Sequence, residues 1–197
     1  AGREVLTMST DETKLPSPNT FAVIALIICA LRCAVAFAAP ETLPARQLGE
    51  VMSRQGESLP AFLARVGERL RAFSDRTGFE GCGALATDGT RYGVELGTNG
   101  SHIACVIDAR KVPAGMHATG ESIHSHGQDK RFCLNAADVE LIEPGAAMPM
   151  KPVCFMGQHL AEFSDQDYRS GPGYLATPTG ILHQHGAGTV QRIITYP

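Results

Sequence analysis

The sequence predicts an α+β domain: a mostly antiparallel sheet flanked by one long and two short helices. Three observations predict it. A single stretch, Phe62, Leu63, Val66, Leu70 and Phe73, has apolar residues at helical spacing, with Arg65, Glu68, Arg69 and Arg71 on the other face. After it come short runs separated by turn pairs, Asp88-Gly89 and Asn99-Gly100, which read as successive hairpins. Late in the chain the runs 174–177, 180–185 and 190–196 are again strand-length, with Gly186-Ala187-Gly188 between the last two.

Taken in order, the chain opens with a leader. Phe21 to Leu31 is an apolar run too short to span a bilayer comfortably, and Ala36-x-Ala38 behind it is a small-residue cleavage pattern. Residues 1–38 therefore read as residues upstream of a start at Met8 followed by a secretory signal peptide cut after Ala38, the alternative being an uncleaved anchor. Residues 39–57 are polar, with Pro44 and Gly49, and read as a loose lead-in.

Ser58 can cap the long helix, Pro60 is tolerated in its first turn, and Gly78 ends it. Strands are expected over 79–86, 92–96, 103–108 and 117–125. Asn135 can cap a short helix reaching Ile142, residues 144–152 form a Pro/Met/Gly loop, and 153–156 can be a brief strand. Ser164 caps a second short helix with acidic residues in its first turn, stopped by Gly171-Pro172-Gly173.

The chain has 197 residues and a formal charge of −3, which points to neither nucleic acid nor a polyanionic surface as partner. Without the leader, four cysteines remain: Cys82, Cys105, Cys133 and Cys154. An even count in an exported domain suggests two disulfides. Cys133 with Cys154 is favoured because both fall in one irregular stretch, leaving Cys82 with Cys105. Leader and cysteines together predict an exported protein, periplasmic or secreted, with no stable membrane span once the signal is removed.

The chemistry centres on His124-Ser125-His126-Gly127 at the end of a strand. Side chains alternate along a strand, so His124 and His126 share a face and can grip one divalent metal, for which zinc suits imidazole. A catalytic zinc needs about three protein ligands and an open position, and a carboxylate outside the coordination shell can take a proton from water. Glu121, an odd number of residues from His124, faces the other side and is a poor partner. Asp167 lies in the first turn of a helix with Ser164 at the same end, and Glu80 precedes the small residues Gly81-Cys82-Gly83, which permit close approach of a neighbour.

Glu80-Gly81-Cys82-Gly83, His124-Ser125-His126 and Ser164-x-x-Asp167, in that order, resemble the JAB/MPN (JAMM) metallopeptidase pattern. His124-Ser125-His126-Gly127, Phe163-Ser164-Asp165-Gln166-Asp167 and Tyr174-Leu175-Ala176-Thr177-Pro178-Thr179-Gly180 are more similar still to an uncharacterised JAB-like family of bacterial exported and toxin-associated proteins. The resemblance covers roughly residues 79–185 and implies a JAB/MPN-like, cytidine-deaminase-like layering for a single domain at 58–197. It implies that His124, His126 and Asp167 bind Zn²⁺, that Glu80 is general base to the bound water, and that Ser164 hydrogen-bonds the oxyanion.

Two features depart from the pattern. Gly127 replaces the usual proline, and Ser164 follows His126 by 38 positions, far more than usual. Asn135-x-x-Asp138 sits near the ordinary distance, so Asp138 is a rival third ligand, and preferring Asp167 makes residues 128–162 an insertion near the cleft.

The implied function is hydrolysis of a peptide or isopeptide bond outside the cytoplasm, in peptidoglycan or an envelope protein. Two alternatives stand beside it. One is a JAB-like module that binds or assembles without catalysis. The other is a cupin-like barrel, which His124-x-His126 and Pro178-x-Gly180-x-x-His183 also echo. The oligomeric state is left open. His183 and His185 read as partly exposed strand residues, His102, His117 and His159 as structural or solvated, Tyr174 and Phe163 as core, and Asp88 and Asp108 as turn or strand-end residues.

Overall fold

The computed structural model describes residues 45–157, 159–186 and 188–196. The predicted leader and its cleavage point lie outside the described residues. Among those described there are three helices: α1 (Leu59–Thr77), α2 (Ala136–Ile142) and α3 (Asp165–Arg169). The strands are β1 (Arg46–Met52), β2 (Gly81–Thr87), β3 (Tyr92–Thr98), β4 (His117–Ser125), β5 (Phe132–Cys133), β6 (Cys154–Phe155), β7 (Gly173–Thr177), β8 (Gly180–Gln184) and β9 (Val190–Thr195). The large sheet runs β1-β3-β2-β4-β7-β8-β9, and β5-β6 is a separate small ribbon. The fold is α+β and its sheet mostly antiparallel. Among the described residues β1 and β9 are its edges, so the sheet is open rather than the closed barrel that a cupin-like reading expects.

Helix α1 is the packing helix its periodicity predicts. Ser58 accepts a hydrogen bond from the Ala61 N–H, and Gly78 closes the helix at φ +76°. Phe62, Leu63, Val66 and Leu70 are buried against Leu85, Val94, Leu96, Ile123 and Ile181 of the sheet, and Phe73 is buried as well, each worth about 1.5–3 kcal/mol of transfer free energy. A Cβ at Gly81 would lie 2.9 Å from Leu70 Cδ2, so the glycine at the start of β2 lets the helix close onto the sheet.

Two expectations fail here. Residues 39–57 are not all loose: Arg46–Met52 pair with β3 as an edge strand. A bulge at Gly49 (φ +113°) breaks the alternation that would have revealed it. The Arg69 guanidinium donates to the Leu48 carbonyl (2.6 Å) and fastens the strand to α1.

Residues 103–108 are apolar but form no strand. The Ser101 hydroxyl accepts from the Ile103 and Ala104 N–H groups (3.1 and 3.3 Å), and Asn99 Oδ1 accepts from Val106 N–H (2.8 Å). Side chains thus take the backbone donors a ladder would have used, while a Cys82–Cys105 disulfide fixes the segment beside β2.

Only one strand pair in the large sheet is parallel, β4 with β7. Parallel neighbours need a long crossover, and residues 126–172 supply it, carrying β5, α2, β6 and α3. A Cys133–Cys154 disulfide joins β5 to β6 within it. Gly173 must re-enter the sheet opposite Ser122, so α3, just before it, is delivered to the end of β4 that bears the histidines.

Candidate metal centre

The last two turns of α1 hold the end of β4. Ser74 Oγ and Ser125 Oγ are 2.8 Å apart, and buried Arg71 donates to the His126 carbonyl (2.7 Å). A Cβ at Gly127 would lie 2.2 Å from the Gly78 carbonyl oxygen. That contact explains glycine rather than a larger residue after the second histidine. Ser125 thus faces the helix, while His124 and His126 share the opposite face with ring centroids 5.2 Å apart.

Asp167 meets both rings. Its Oδ1 is 3.1 Å from His124 Nε2, and its Oδ2 is 3.2 Å from His126 Nε2. Asp167 is fixed by a reciprocal cap of α3: Ser164 N–H and Oγ–H donate to Oδ2 (2.7 and 2.8 Å), and the Asp167 N–H donates to Ser164 Oγ (3.3 Å). Burial opposes its charge, but the imidazoles of His124 and His126 beside it and the Ser164 N–H prevail and hold the carboxyl far below the usual range.

The protonation pattern is informative. His126 Nδ1 lies 2.8 Å from the His159 carbonyl oxygen, which can only accept, so the proton is on Nδ1. In the neutral ring, Nε2 then presents a lone pair to a carboxylate oxygen. Two acceptors at that distance need a proton or a cation between them. His124 Nε2 is buried and makes no hydrogen bond of acceptable geometry. One cation would satisfy all three residues, whose ligand atoms lie within 4.8 Å of one another. The donor set, two imidazoles and a carboxylate, suits zinc.

Glu80 and Ser164 line the same cavity of about 700 Å³ as His124 and Asp167. Glu80 is buried, and its Oε1 has no hydrogen-bond partner among the described residues. Desolvation first, then the charges of Asp167 and Asp138, push its pKa well above the usual carboxylate range. Its backbone is clamped: the N–H donates to the Ser101 carbonyl (2.9 Å), and its carbonyl accepts from Thr98 Oγ1–H (2.6 Å).

Asp138, the rival third ligand, is not in this group. It is fully buried as the N-terminal cap partner of α2, accepting from Ser101 Oγ–H and His102 N–H (both 2.7 Å) and from Asn135 N–H (2.9 Å), and pairing with His102 Nδ1 (2.7 Å). It secures the loop that clamps Glu80.

His102 is structural, as expected: it pairs with Asp138, and its ring lies between Phe79 and Phe132. Two other expectations need correcting. Phe163 is half-buried on the cavity wall rather than in the core. His183 is buried and bonded to Glu121, leaving only His185 exposed. Sequence reasoning missed Arg71 and the His159 carbonyl, which orient His126. Neither carries a local signal, because one sits on a helix and the other acts through its backbone.

Fold and site define an α+β protein with a carboxylate-bearing cleft beside a group of residues able to hold a divalent metal. Compared with protein-family models, curated proteins and solved structures, the chain has no significant match.

Proposed function

We propose that this protein is a zinc-dependent hydrolase of JAB/MPN type that cleaves a peptide or isopeptide amide bond outside the cytoplasm. The observation that carries the reading is the meeting of His124, His126 and Asp167, lone pairs turned on one point, with unpartnered Glu80 in the same cavity. His124, His126 and Asp167 would hold the ion. Bound there, zinc supplies Lewis acidity that polarises a carbonyl and brings the pKa of a water to about 7.

The chain's own groups do the rest. Glu80 takes the proton from the attacking water and returns it to the leaving amine, a task suited to a carboxylate whose proton affinity is raised by burial. Ser164 Oγ donates to Asp167 (2.8 Å) and orients it. Rotated about χ1, the same hydroxyl serves the developing oxyanion. Ile103, Val106, Leu141 and Phe163 give the cleft apolar walls that accept the flanks of a peptide and exclude water.

Both disulfides fit an oxidising compartment, and no helix among the described residues is long and apolar enough to cross a membrane. Peptidoglycan cross-links or an envelope protein are then the substrates of choice. A purely binding module would not need an ionisable, unsatisfied Glu80, whose burial is costly. The test is digestion of muropeptides and generic peptides by zinc-loaded protein and by Glu80→Gln. Cleavage lost with metal retained supports the reading, and cleavage unchanged by Glu80→Gln overturns it.

A further inference from the structure

We infer that Glu121, His183 and His185 form a second divalent-cation site, on the face of the sheet opposite His124. Side chains alternate along β4, so Glu121 and Ile123 face away from His124 and His126. In the sheet register Ile123, Tyr174 and His183 are paired across β4, β7 and β8, which places Glu121 beside that row.

Three features prepare the cluster for a cation. His183 is buried, and its ring stacks on Tyr174 at 4.0 Å between centroids with 6° between planes. Glu121 Oε1 lies 2.7 Å from His183 Nε2, and Glu121 Oε2 accepts from the Tyr174 hydroxyl (3.2 Å). Burial, and then the neighbouring Glu121 charge, push that hydroxyl's pKa up, so it stays protonated as the donor. The Tyr174–carboxylate contact is the outer hydrogen bond that commonly orients a ligating carboxylate. His185, exposed just past the end of β8, sets its ring 4.0 Å from that of His183.

One ligand atom from each of Glu121, His183 and His185 lies within 4.8 Å of the others. A hydrogen-bonded Glu121–His183 pair accounts for two of them, and a cation also engages the third. Two imidazoles and a carboxylate select zinc, nickel or copper(II) over calcium or magnesium. Because His185 is exposed, a coordination position stays open to solvent. Gln184 lies between the two histidines and faces the other way, where it donates to the Gly171 carbonyl on the segment that leads from α3 into β7.

The site is independent of the hydrolase reading and is tested without it. Full-length oxidised protein carrying His124→Ala and Asp167→Asn, stripped of metal, is titrated with Zn²⁺ by calorimetry and with Co²⁺ by visible absorption. We expect one equivalent to bind with a cobalt ligand-field spectrum. Adding His185→Ala or Glu121→Gln should weaken it at least roughly tenfold. His185 is exposed, so its variant keeps the fold, which far-UV circular dichroism checks. Absence of binding in the first background, or binding indifferent to both added substitutions, overturns the site.

Discussion

Cys82 and His124 are partners across the β2–β4 ladder. The disulfide from Cys82 to Cys105 therefore anchors a cavity wall, Ile103 to Ile107, one strand away from a candidate ligand. Fold stability and cleft shape are joined at this point.

Replacing Cys105 with serine should cost roughly 3 kcal/mol, the chain-entropy value for closing a loop of this size. Metal affinity should be nearly unchanged, because no ligand is touched, while KM for a peptide rises as the wall loosens. Urea unfolding with and without reductant, beside metal titration, checks this. A fall in metal affinity as large as that in stability would contradict it.

Asp138 and Asp167 should differ in their effect on zinc binding. Asp138→Asn puts an amide where four hydrogen-bonding partners expect a carboxylate, and should lower stability by about 1–3 kcal/mol with zinc still bound at His124 and His126. Asp167→Asn should abolish tight binding there and, by loosening the α3 cap, lower the unfolding free energy of metal-free protein by about 0.5–2 kcal/mol. Denaturant melts and zinc stoichiometry on both variants separate the two roles.

Glu80 gives a pH signature. Its pKa in the fold is raised above the ordinary 4.5, so the folded state holds the proton more tightly than the unfolded one. Stability from this group is full below pH 4.5 and is lost as pH rises through the folded value. Glu80→Gln, with nothing to ionise, should match the wild type below pH 4.5 and exceed it at neutral pH in metal-free protein, while amide hydrolysis falls by roughly 10²–10⁴. Thermal unfolding of chelated protein from pH 4 to 8 checks this. A Glu80→Gln variant less stable at every pH would contradict it.

Arg71 should act as a positioning residue. Its donation to the His126 carbonyl (2.7 Å) holds the strand end, and Arg71→Met should weaken zinc binding by roughly 10–100-fold through His126. Comparing its zinc titration with that of His126→Ala tests this, since the combined substitution should add little to His126→Ala alone.

What the sequence could show follows from how local each signal is. The caps and period of α1 and the alternation around His124 and His126 are contained in a few residues, and each maps onto the structure. Ser164-x-x-Asp167 and Asn135-x-x-Asp138 look alike locally for a physical reason, since both are capping boxes with the same reciprocal hydrogen bonds, and the preference for Asp167 rests on the residues around it. Only the crossover, which sets α3 at the end of β4, separates them. Long-range features left no trace, among them Arg71 behind His126, His102 on Asp138, and Glu121 with His183. Residues 103–108 misled because apolar composition reads as a strand, while the backbone hydrogen bonds to Ser101 Oγ and Asn99 Oδ1 that prevent one depend on side chains outside the run.

The most direct measurement is anomalous diffraction at the zinc absorption edge from crystals of the zinc-loaded protein. The account predicts a peak about 2.0–2.2 Å from His124 Nε2, His126 Nε2 and an Asp167 carboxylate oxygen. No peak among those three residues, with the crystals loaded and the rings in place, would contradict it.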